Sequence, residues 1–394
     1  MISVDTALGH IFDLLEPLGS EPVAIRDAGG RVLASPVTAM RDQPPFAASV
    51  MDGYAVRSSD ALPGARLKVT GESAAGHASD LTLGPGEAIR IFTGAPVPAG
   101  ADRVVIQEDV RRDGSRITLS DALDKGPYIR PSGADFKAGD TLGAPRRLDS
   151  SALTLAAAMN APVLICTRRP IVALLATGDE LVMPGDDPGP DQIIASNGLG
   201  LARLVSEEGG LPRLLPIARD SVEGLHAAFD LARGADLIIT IGGASVGDHD
   251  LVRSAAGERG LDTAFYKVAM RPGKPLMAGR LDDTPIIGLP GNPVSSLVCG
   301  HVFLRPALRR LLGFPAAALQ QSRAPLAEPV TANGPREHYM RATHQSDGIR
   351  VAERQDSGLI GVLAGADVLV VRPPNDGPKD TGEFVDILPL TGRS

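Results

Sequence analysis

The chain is poor in aromatic residues: its 394 residues include no tryptophan, 4 tyrosines and 9 phenylalanines. Proteins that bind single-stranded nucleic acid stack bases on aromatic side chains, so this class is disfavoured. Basic residues are also in the minority, with 39 Lys and Arg against 47 Asp and Glu and a formal net charge of −8. Such a chain has no overall positive field for a polyanion. We therefore expect no nucleic-acid partner, and any anionic ligand must bind in a local pocket.

Cysteines and long apolar runs are scarce too. Cys166 and Cys299 are the two cysteines, and their apolar surroundings and wide separation favour buried free thiols over a zinc site or a disulfide framework. No segment approaches the roughly 18 consecutive apolar residues of a membrane span. The N-terminus lacks the basic region and unbroken apolar stretch of a signal peptide. These features predict a cytoplasmic protein without membrane contact.

The composition that remains is that of a folded globular protein, with 43% hydrophobic and 22% charged residues. Its length predicts two or three domains. Leu8, Ile11 and Leu15 recur at helical spacing behind Ser3, a typical N-cap, and predict an opening amphipathic helix. Asp149 or Ser150 caps a second predicted helix, which we expect to pack against the first. Between them, short apolar runs separated by Gly/Pro turns predict an inserted β module.

Strand-like and helix-like segments alternate from Pro170 to Gly313, and this alternation predicts a parallel sheet covered on both faces. The last helix is expected from Pro293 to Leu312, and β texture returns after about Arg323. The fold class predicted is multidomain α/β plus β. We expect a small helical or mixed N-terminal domain (residues 1–42 plus 144–168), a β-rich insertion (43–143), a central parallel α/β domain (169–323) and a C-terminal β-barrel-like domain (324–394).

Polar residues are concentrated where the predicted strands of the α/β domain end. Ligands of open α/β sheets bind beyond the carboxyl ends of the strands, and glycines there allow close approach of the backbone. Each loop taken alone is equally typical of turns and helix caps. The segments are TGDE (177–180), RD (219–220), GGASVGDHD (242–250), RPGKP (271–275) and LPGNP (289–293).

Together these loops combine carboxylates with cations. A Mg²⁺ ion that bridges phosphate oxygens takes one or two carboxylates, so the set suits such a site, and an internal salt-bridge cluster is the alternative. Neither a GxxxxGK[ST] loop nor a GxGxxG motif is present, which disfavours an NTPase and a Rossmann dehydrogenase. No Ser/His/Asp nucleophile set emerges either. The carboxylates are Glu180, Asp220, Asp248 and Asp250, and the cations are Lys267, Arg271 and Lys274.

Six motifs follow one another along the chain: SVMDGYAV, RIFTGAPVPAGAD, ATGDEL, GGASVGDHD, RPGKP and GLPGNPVSS. In this order and spacing they resemble the MoeA-type molybdopterin molybdenumtransferase family, whose eukaryotic relatives include the E domain of gephyrin. The resemblance implies a transferase of molybdenum cofactor biosynthesis. Such an enzyme takes adenylylated molybdopterin and molybdate, inserts the metal into the dithiolene and releases AMP with the help of Mg²⁺. It also implies an elongated homodimer whose sites lie between the α/β domain of one subunit and the β insertion of the other.

The resemblance further implies the roles of individual residues. The catalytic positions are Asp52, Thr93, Glu180, Asp220, Asp250 and Lys267, with Glu180, Asp220 and Asp250 as Mg²⁺ ligands; which carboxylate binds the metal and which orients the nucleophile stays open. The substrate-binding positions are Ser245, Asp248, Arg271, Lys274, Pro290, Asn292, Arg341 and Ser357. The chain departs from the family pattern at Val50, Ala244, Arg271 and Asp356, and a carboxylate at 356 must point away from an incoming oxyanion. Further expected partners are the molybdopterin adenylyltransferase and molybdoenzyme chaperones.

Two other functions remain open at the level of sequence. A molybdopterin adenylyltransferase uses a similar α/β domain, but it needs neither the β insertion nor the C-terminal β domain. A non-catalytic scaffold of the gephyrin kind has no need of the metal-type carboxylates or of Lys274. Release of AMP from adenylylated molybdopterin in the presence of molybdate and Mg²⁺ distinguishes all three.

Overall fold

The computed structural model describes residues 1–242 and 251–390. The chain divides into two compact units. The first comprises Met1–Glu21, Gly30–Ala34 and Ile165–Ser394, and the second comprises Pro22–Gly29 and Ser35–Leu164. This division does not test the four predicted domain boundaries, which stay a prediction.

Both predicted N-terminal helices are present with their predicted caps. The first spans Val4–Asp13, and the side chain of Ser3 accepts a hydrogen bond from the backbone N–H of Thr6. The second spans Ser150–Ala158 in the other unit, and Asp149 caps it in the same way through Ala152 N. The apolar face of the first helix joins the core of the α/β sheet. Its buried side chains therefore have partners in their own unit, and packing of the first helix against the second stays a prediction.

The first unit is built on a six-stranded sheet. Its strand order is Leu211–Leu214, Ile171–Ala176, Leu237–Ile241, Thr284–Leu289, Pro275–Leu281 and Asp262–Lys267. The first four strands are parallel, as predicted, and Pro275–Leu281 runs antiparallel to both of its neighbours, so the sheet is mixed at one edge. Along Ile171–Ala176, Leu174 packs in one apolar core and Leu175 in the other, which shows that both faces are covered.

Helices connect the parallel strands and bring their carboxyl ends to one edge. They span Asn197–Glu207, Val222–Leu231 and Leu251–Glu258. The predicted last helix is confirmed as the helical run Pro293–Cys299, Gly300–Leu304 and Arg305–Leu311, in which the middle segment is a π-helix. Two short strands, Leu181–Val182 and Ile193–Ile194, pair beside this edge.

A second sheet in the same unit contains the C-terminal strands. Its order is Met270–Arg271, Glu337–Gln345, Val368–Arg372, Phe384–Pro389 and Ser322–Pro325; Gly348–Val351 also pairs with Glu337–Gln345, and a short helix spans Ile360–Gly365. Met270–Arg271 pairs in parallel with Glu337 and His338. The RPGKP loop therefore begins on a strand of the C-terminal sheet.

The second unit contains the predicted β-rich insertion. Its main sheet has the order Arg103–Ile106, Gly53–Val56, Glu87–Ile91, Arg66–Ser73, Arg116–Leu119 and Val110–Asp113. Tyr54 and Val56 pack in one apolar core and Ala55 in another, so the strand Gly53–Val56 is covered on both faces. The remaining short strands of the chain are Ser20–Ala24, Val32–Leu33, Val37–Thr38, Ala48–Ser49, Ile129–Arg130, Thr141–Leu142, Arg146–Arg147 and Val163–Thr167.

Cys166 and Cys299 are both buried and free, as predicted. Within residues 1–242 and 251–390, none of the helices combines the length and the apolar character needed to cross a membrane.

Candidate functional site

A cavity of about 490 Å³ opens at the carboxyl ends of the parallel strands. Three neighbouring strands contribute their exits to it, and the N-terminus of the helix Asn197–Glu207 forms another wall. Four of the predicted site residues line the cavity: Glu180, Asp220, Pro290 and Asn292. The apolar part of the lining comes from Leu181, Ile193, Ile194 and Ile241. The cavity therefore presents polar and apolar walls to one ligand.

The acidic wall is formed by Glu180 and Asp220. Asp220 Oδ1 accepts a hydrogen bond of 2.6 Å from Thr177 Oγ1, and the backbone N–H of Asp220 donates to Asp179 Oδ1 at 3.2 Å. Gly178 has φ +152°, and a Cβ at this position would lie 2.6 Å from Glu180 Oε2. Glycine at 178 therefore lets the carboxylate of Glu180 lie close against the backbone.

Three of the predicted site residues lie outside the described residues: Ser245, Asp248 and Asp250. The departure at Ala244 lies there too. Within the described ranges, no group of three His, Cys, Asp or Glu side chains is arranged to hold a metal ion. Glu180 and Asp220 are thus the two predicted metal ligands that the structure brings together.

The basic loop RPGKP packs closely against the sulfur atoms of Cys299 and Met270 at its central glycine. Gly273 has φ +108°, and a Cβ on it would collide with Cys299 Sγ and would lie 3.2 Å from Met270 Sδ. Arg271 and Lys274, on either side, are exposed, and Pro275 lines the cavity. The loop therefore holds two cations next to the cavity edge. The ammonium of Lys267 lies 5.8 Å from the ring centroid of Tyr266 and outside the cavity lining.

Arg341 is fully buried, and its guanidinium is incompletely paired. Nη2 donates to the carbonyl of Asp356 at 3.0 Å, whereas Nε and Nη1 have no hydrogen-bond partner within residues 1–242 and 251–390. Burial lowers the pKa of Arg341, and the nearby charge of Arg271 lowers it further while Asp356 opposes the change. An arginine stays protonated in proteins even so. In the part of the chain that the structure describes, Arg341 is therefore a buried cation with two unpaired nitrogen atoms.

Ser357 connects this cation to the cavity. Its Oγ accepts a hydrogen bond of 3.2 Å from Nδ2 of Asn292, a cavity-lining residue, and Ser357 follows Asp356 in the chain. The carboxylate of Asp356, the departure noted above, accepts a hydrogen bond from the backbone N–H of Gly358 at 2.8 Å. That carboxylate is thus engaged in a local turn.

In the second unit the structure brings Asp52 and Thr93 together, although 41 positions separate them. Asp52 Oδ1 accepts hydrogen bonds from the backbone N of Thr93 at 2.8 Å and from its Oγ1 at 2.9 Å. These two bonds, and more weakly the charge of Arg90, hold the pKa of Asp52 below its usual value. Asp52 is therefore ionised at neutral pH.

Replacing Thr93 by valine tests this arrangement. We expect the pKa of Asp52 to rise, because the hydroxyl donor is lost, yet to stay below the usual aspartate value, because the backbone N–H of residue 93 still donates. A carboxyl ¹³C NMR titration, with Asp52→Asn to assign the signal, measures the shift. Thr93→Ser should retain the wild-type value. An unchanged pKa in Thr93→Val would contradict the assigned hydrogen bond.

Sequence reasoning missed three residues that organise these groups. Thr177 and Asp179 belong to the ATGDEL motif, and their place in it beside Glu180 is the signal that indicates them. The guanidinium carbon of Arg90 lies 5.1 Å from the ring centroid of Tyr54 and 4.7 Å from that of Phe92, and Arg90 donates a hydrogen bond to the carbonyl of Gly53. Its position in RIF, three residues before Thr93, was the available signal.

A cavity at the carboxyl ends of a parallel sheet, with carboxylates on one wall and a basic loop beside it, is typical of α/β proteins that bind a small molecule at this edge. Comparison with known proteins makes the class specific. Residues 2–160 match the family described as the MoeA N-terminal region (domain I and II), residues 173–310 match a probable molybdopterin binding domain, and residues 323–390 match the MoeA C-terminal region (domain IV).

Relatives cover almost the whole chain. The molybdopterin molybdenumtransferase 2 of Mycobacterium tuberculosis is 40% identical over 94% of this chain and 95% of its own length. The molybdopterin molybdenumtransferase of Nostoc sp. is 35% identical over 99% and 94%, respectively. The solved structure of the molybdopterin biosynthesis MoeA protein of Pyrococcus horikoshii superimposes with a TM-score of 0.82 at 30% identity and covers both chains completely. The chain belongs to the molybdopterin molybdenumtransferase family.

Proposed function

We propose that this chain inserts molybdenum into molybdopterin during molybdenum cofactor biosynthesis, taking adenylylated molybdopterin and molybdate and releasing AMP. Family membership supports the transferase activity. The observation that carries the proposal is Arg341, because a fully buried guanidinium with two unused donors needs an anionic partner. Asp356, Ser357 and Asn292 join it to the cavity.

Molybdate is a small dianion, and its binding requires donors rather than carboxylates. The guanidinium of Arg341 supplies a charge-assisted hydrogen bond through one of its unpaired nitrogen atoms in this proposal, and the exposed cations Arg271 and Lys274 add charge from the neighbouring loop. Ser357 Oγ is a further donor. The molybdopterin occupies the cavity between the acidic wall and the apolar lining, with Pro290 and Asn292 as contacts. Ser245 and Asp248 belong to the same proposed substrate-binding set.

The acidic wall fits a Mg²⁺ ion. Glu180 and Asp220 line one cavity, and Mg²⁺ is commonly bound by one or two carboxylates together with waters and phosphate oxygens. Asp250 is the third proposed ligand. Bound there, the ion would neutralise charge on the phosphoanhydride as AMP leaves. The carboxylate that does not hold the metal is free to orient the attacking group, and Lys267 completes the proposed catalytic set.

Asp52 and Thr93 have the geometry of a preorganised carboxylate, but they belong to the β insertion. We propose that they complete the site of the partner subunit in a homodimer, and that the four predicted domains form the dimeric enzyme. A cytoplasmic location and contacts with the molybdopterin adenylyltransferase or molybdoenzyme chaperones are part of the same proposal.

Mixing two inactive variants tests the assembly. Asp52→Ala and Asp220→Ala proteins are each expected to be inactive, whereas an exchanged mixture should recover part of the activity. One of the two sites in a heterodimer then carries both intact residues. Turnover is measured as AMP release after subunit exchange has been verified by mass. No recovery in a verified heterodimer would assign Asp52 to the site of its own subunit.

Measurement of AMP release with and without molybdate tests the proposed function itself. Molybdate-dependent release from adenylylated molybdopterin supports it. Formation of adenylylated molybdopterin from ATP would instead identify an adenylyltransferase, and neither reaction would be seen with a scaffold.

A further inference from the structure

The carboxylate of Asp220 is held by a buried hydroxyl to which no role has been given. Thr177 is 4% exposed, and its Oγ1 donates to Asp220 Oδ1 at 2.6 Å. Asp220 itself is exposed, and among the described residues its Oδ2 has no hydrogen-bond partner. The hydroxyl of Thr177 thus holds Oδ1 of the carboxylate, and Oδ2 is available to a ligand.

Thr177 is itself fixed by the backbone. It follows the strand Ile171–Ala176, its N–H donates to the carbonyl of Ile241 at 3.2 Å, and it forms a parallel β-bridge with Ala218. A second hydrogen bond holds Asp220 to the segment that contains Thr177, because the backbone N–H of Asp220 donates to Asp179 Oδ1. The hydroxyl therefore has a defined position on the rigid sheet, whereas the loop bearing Asp220 is exposed.

We propose that Thr177 is a positioning residue that aims Asp220 Oδ2 at the metal position of the cavity through the hydrogen bond from its Oγ1. The inference rests on the proposed Mg²⁺ site. An exposed aspartate samples several rotamers, and a hard cation binds more weakly when its ligand must first be ordered. Groups that orient a metal ligand typically account for 10- to 100-fold in affinity. Thr177 acts through Asp220 and does not contact the ion.

Binding of Mn²⁺, as a spectroscopic substitute for Mg²⁺, tests the proposal on the full chain without substrate. Thr177→Val removes the hydroxyl at nearly constant volume, and we expect the dissociation constant for Mn²⁺, measured by electron paramagnetic resonance, to rise at least about 10-fold. Thr177→Ser keeps the donor and should bind within about threefold of wild type. The Mg²⁺ concentration for half-maximal AMP release should likewise rise in Thr177→Val and stay close to the wild-type value in Thr177→Ser.

Thr240 provides a matched control. It is fully buried in the adjacent strand Leu237–Ile241, and its Oγ1 has no hydrogen-bond partner among the described residues, so Thr240→Val deletes a hydroxyl without breaking a described bond. We expect unchanged Mn²⁺ binding. If Thr177→Val binds Mn²⁺ like wild type while Asp220→Asn does not, the positioning role is overturned and the metal site stands. Equal weakening in Thr177→Ser and Thr177→Val would assign the effect to packing. If wild type and Asp220→Asn bind equally, the proposed metal site fails, and this inference fails with it.

Discussion

Replacing Arg341 by methionine should raise the molybdate concentration for half-maximal turnover at least about 100-fold. A charge-assisted hydrogen bond worth about 1.5–3 kcal/mol is lost together with the attraction of the positive charge, and about 1.4 kcal/mol corresponds to a factor of ten. The same change should leave the free energy of unfolding within about 1 kcal/mol of wild type, because methionine removes a buried and partly unpaired charge. Function and stability are therefore expected to separate. A molybdate titration of AMP release and a urea denaturation curve measure the two.

Two variants serve as controls for this result. Arg341→Lys keeps the charge but lacks the planar fork of donors, so an intermediate molybdate dependence is expected. Arg354→Met removes an exposed arginine of the same region and should change neither measurement. If Arg341→Met lowers stability by several kcal/mol and leaves the molybdate dependence unchanged, the guanidinium is a structural group and the oxyanion site lies elsewhere.

Replacing Asp220 by asparagine should abolish turnover that depends on Mg²⁺, with a fall in kcat of about 100-fold or more. The amide keeps the shape of the side chain but removes the charge that a hard cation requires. Because Asp220 is exposed, the fold should survive, and the midpoint of thermal unfolding should stay within a few degrees of wild type. AMP release is measured over a Mg²⁺ titration.

Asp187→Asn is the matched control, since it removes an exposed carboxylate from the same unit outside the cavity lining. Its turnover should equal that of wild type. Normal kcat and normal Mg²⁺ dependence in Asp220→Asn would remove this residue from the metal site and leave Glu180 as its described ligand.

Local features of the fold were predictable because their signals are local. Ser3 and Asp149 precede apolar residues at helical spacing, and both cap helices as expected. Alternation of strand and helix patterns identified the parallel part of the central sheet. The direction of Pro275–Leu281 was not predictable, since an antiparallel strand of a buried sheet has the same apolar run as a parallel one. The π-helix Gly300–Leu304 has no distinct periodicity in the sequence either.

Contacts in the site between residues that are far apart in the sequence could not be predicted from local patterns. Asp52 and Thr93 meet across 41 positions, and only the family resemblance selected both of them. The burial of Arg341 depends on how the C-terminal strands pack against the rest of their unit, and no pattern within the strand Glu337–Gln345 indicates it. Thr177 is a further example. A threonine at the end of a strand is common, and what distinguishes this one is its hydrogen bond to Asp220, 43 positions further along the chain.

The contact of Gly273 with Cys299 constrains how sequences of this kind diverge. Position 299 lies in the core, and burial raises the pKa of its thiol above the usual value. A bulkier residue there would push against the backbone of position 273 and displace the two cations that flank it. The positive φ of residue 273 keeps that position glycine even beside a smaller residue 299. The residues that can replace Cys299 in the core are therefore limited by the need to keep Arg271 and Lys274 in place at the surface.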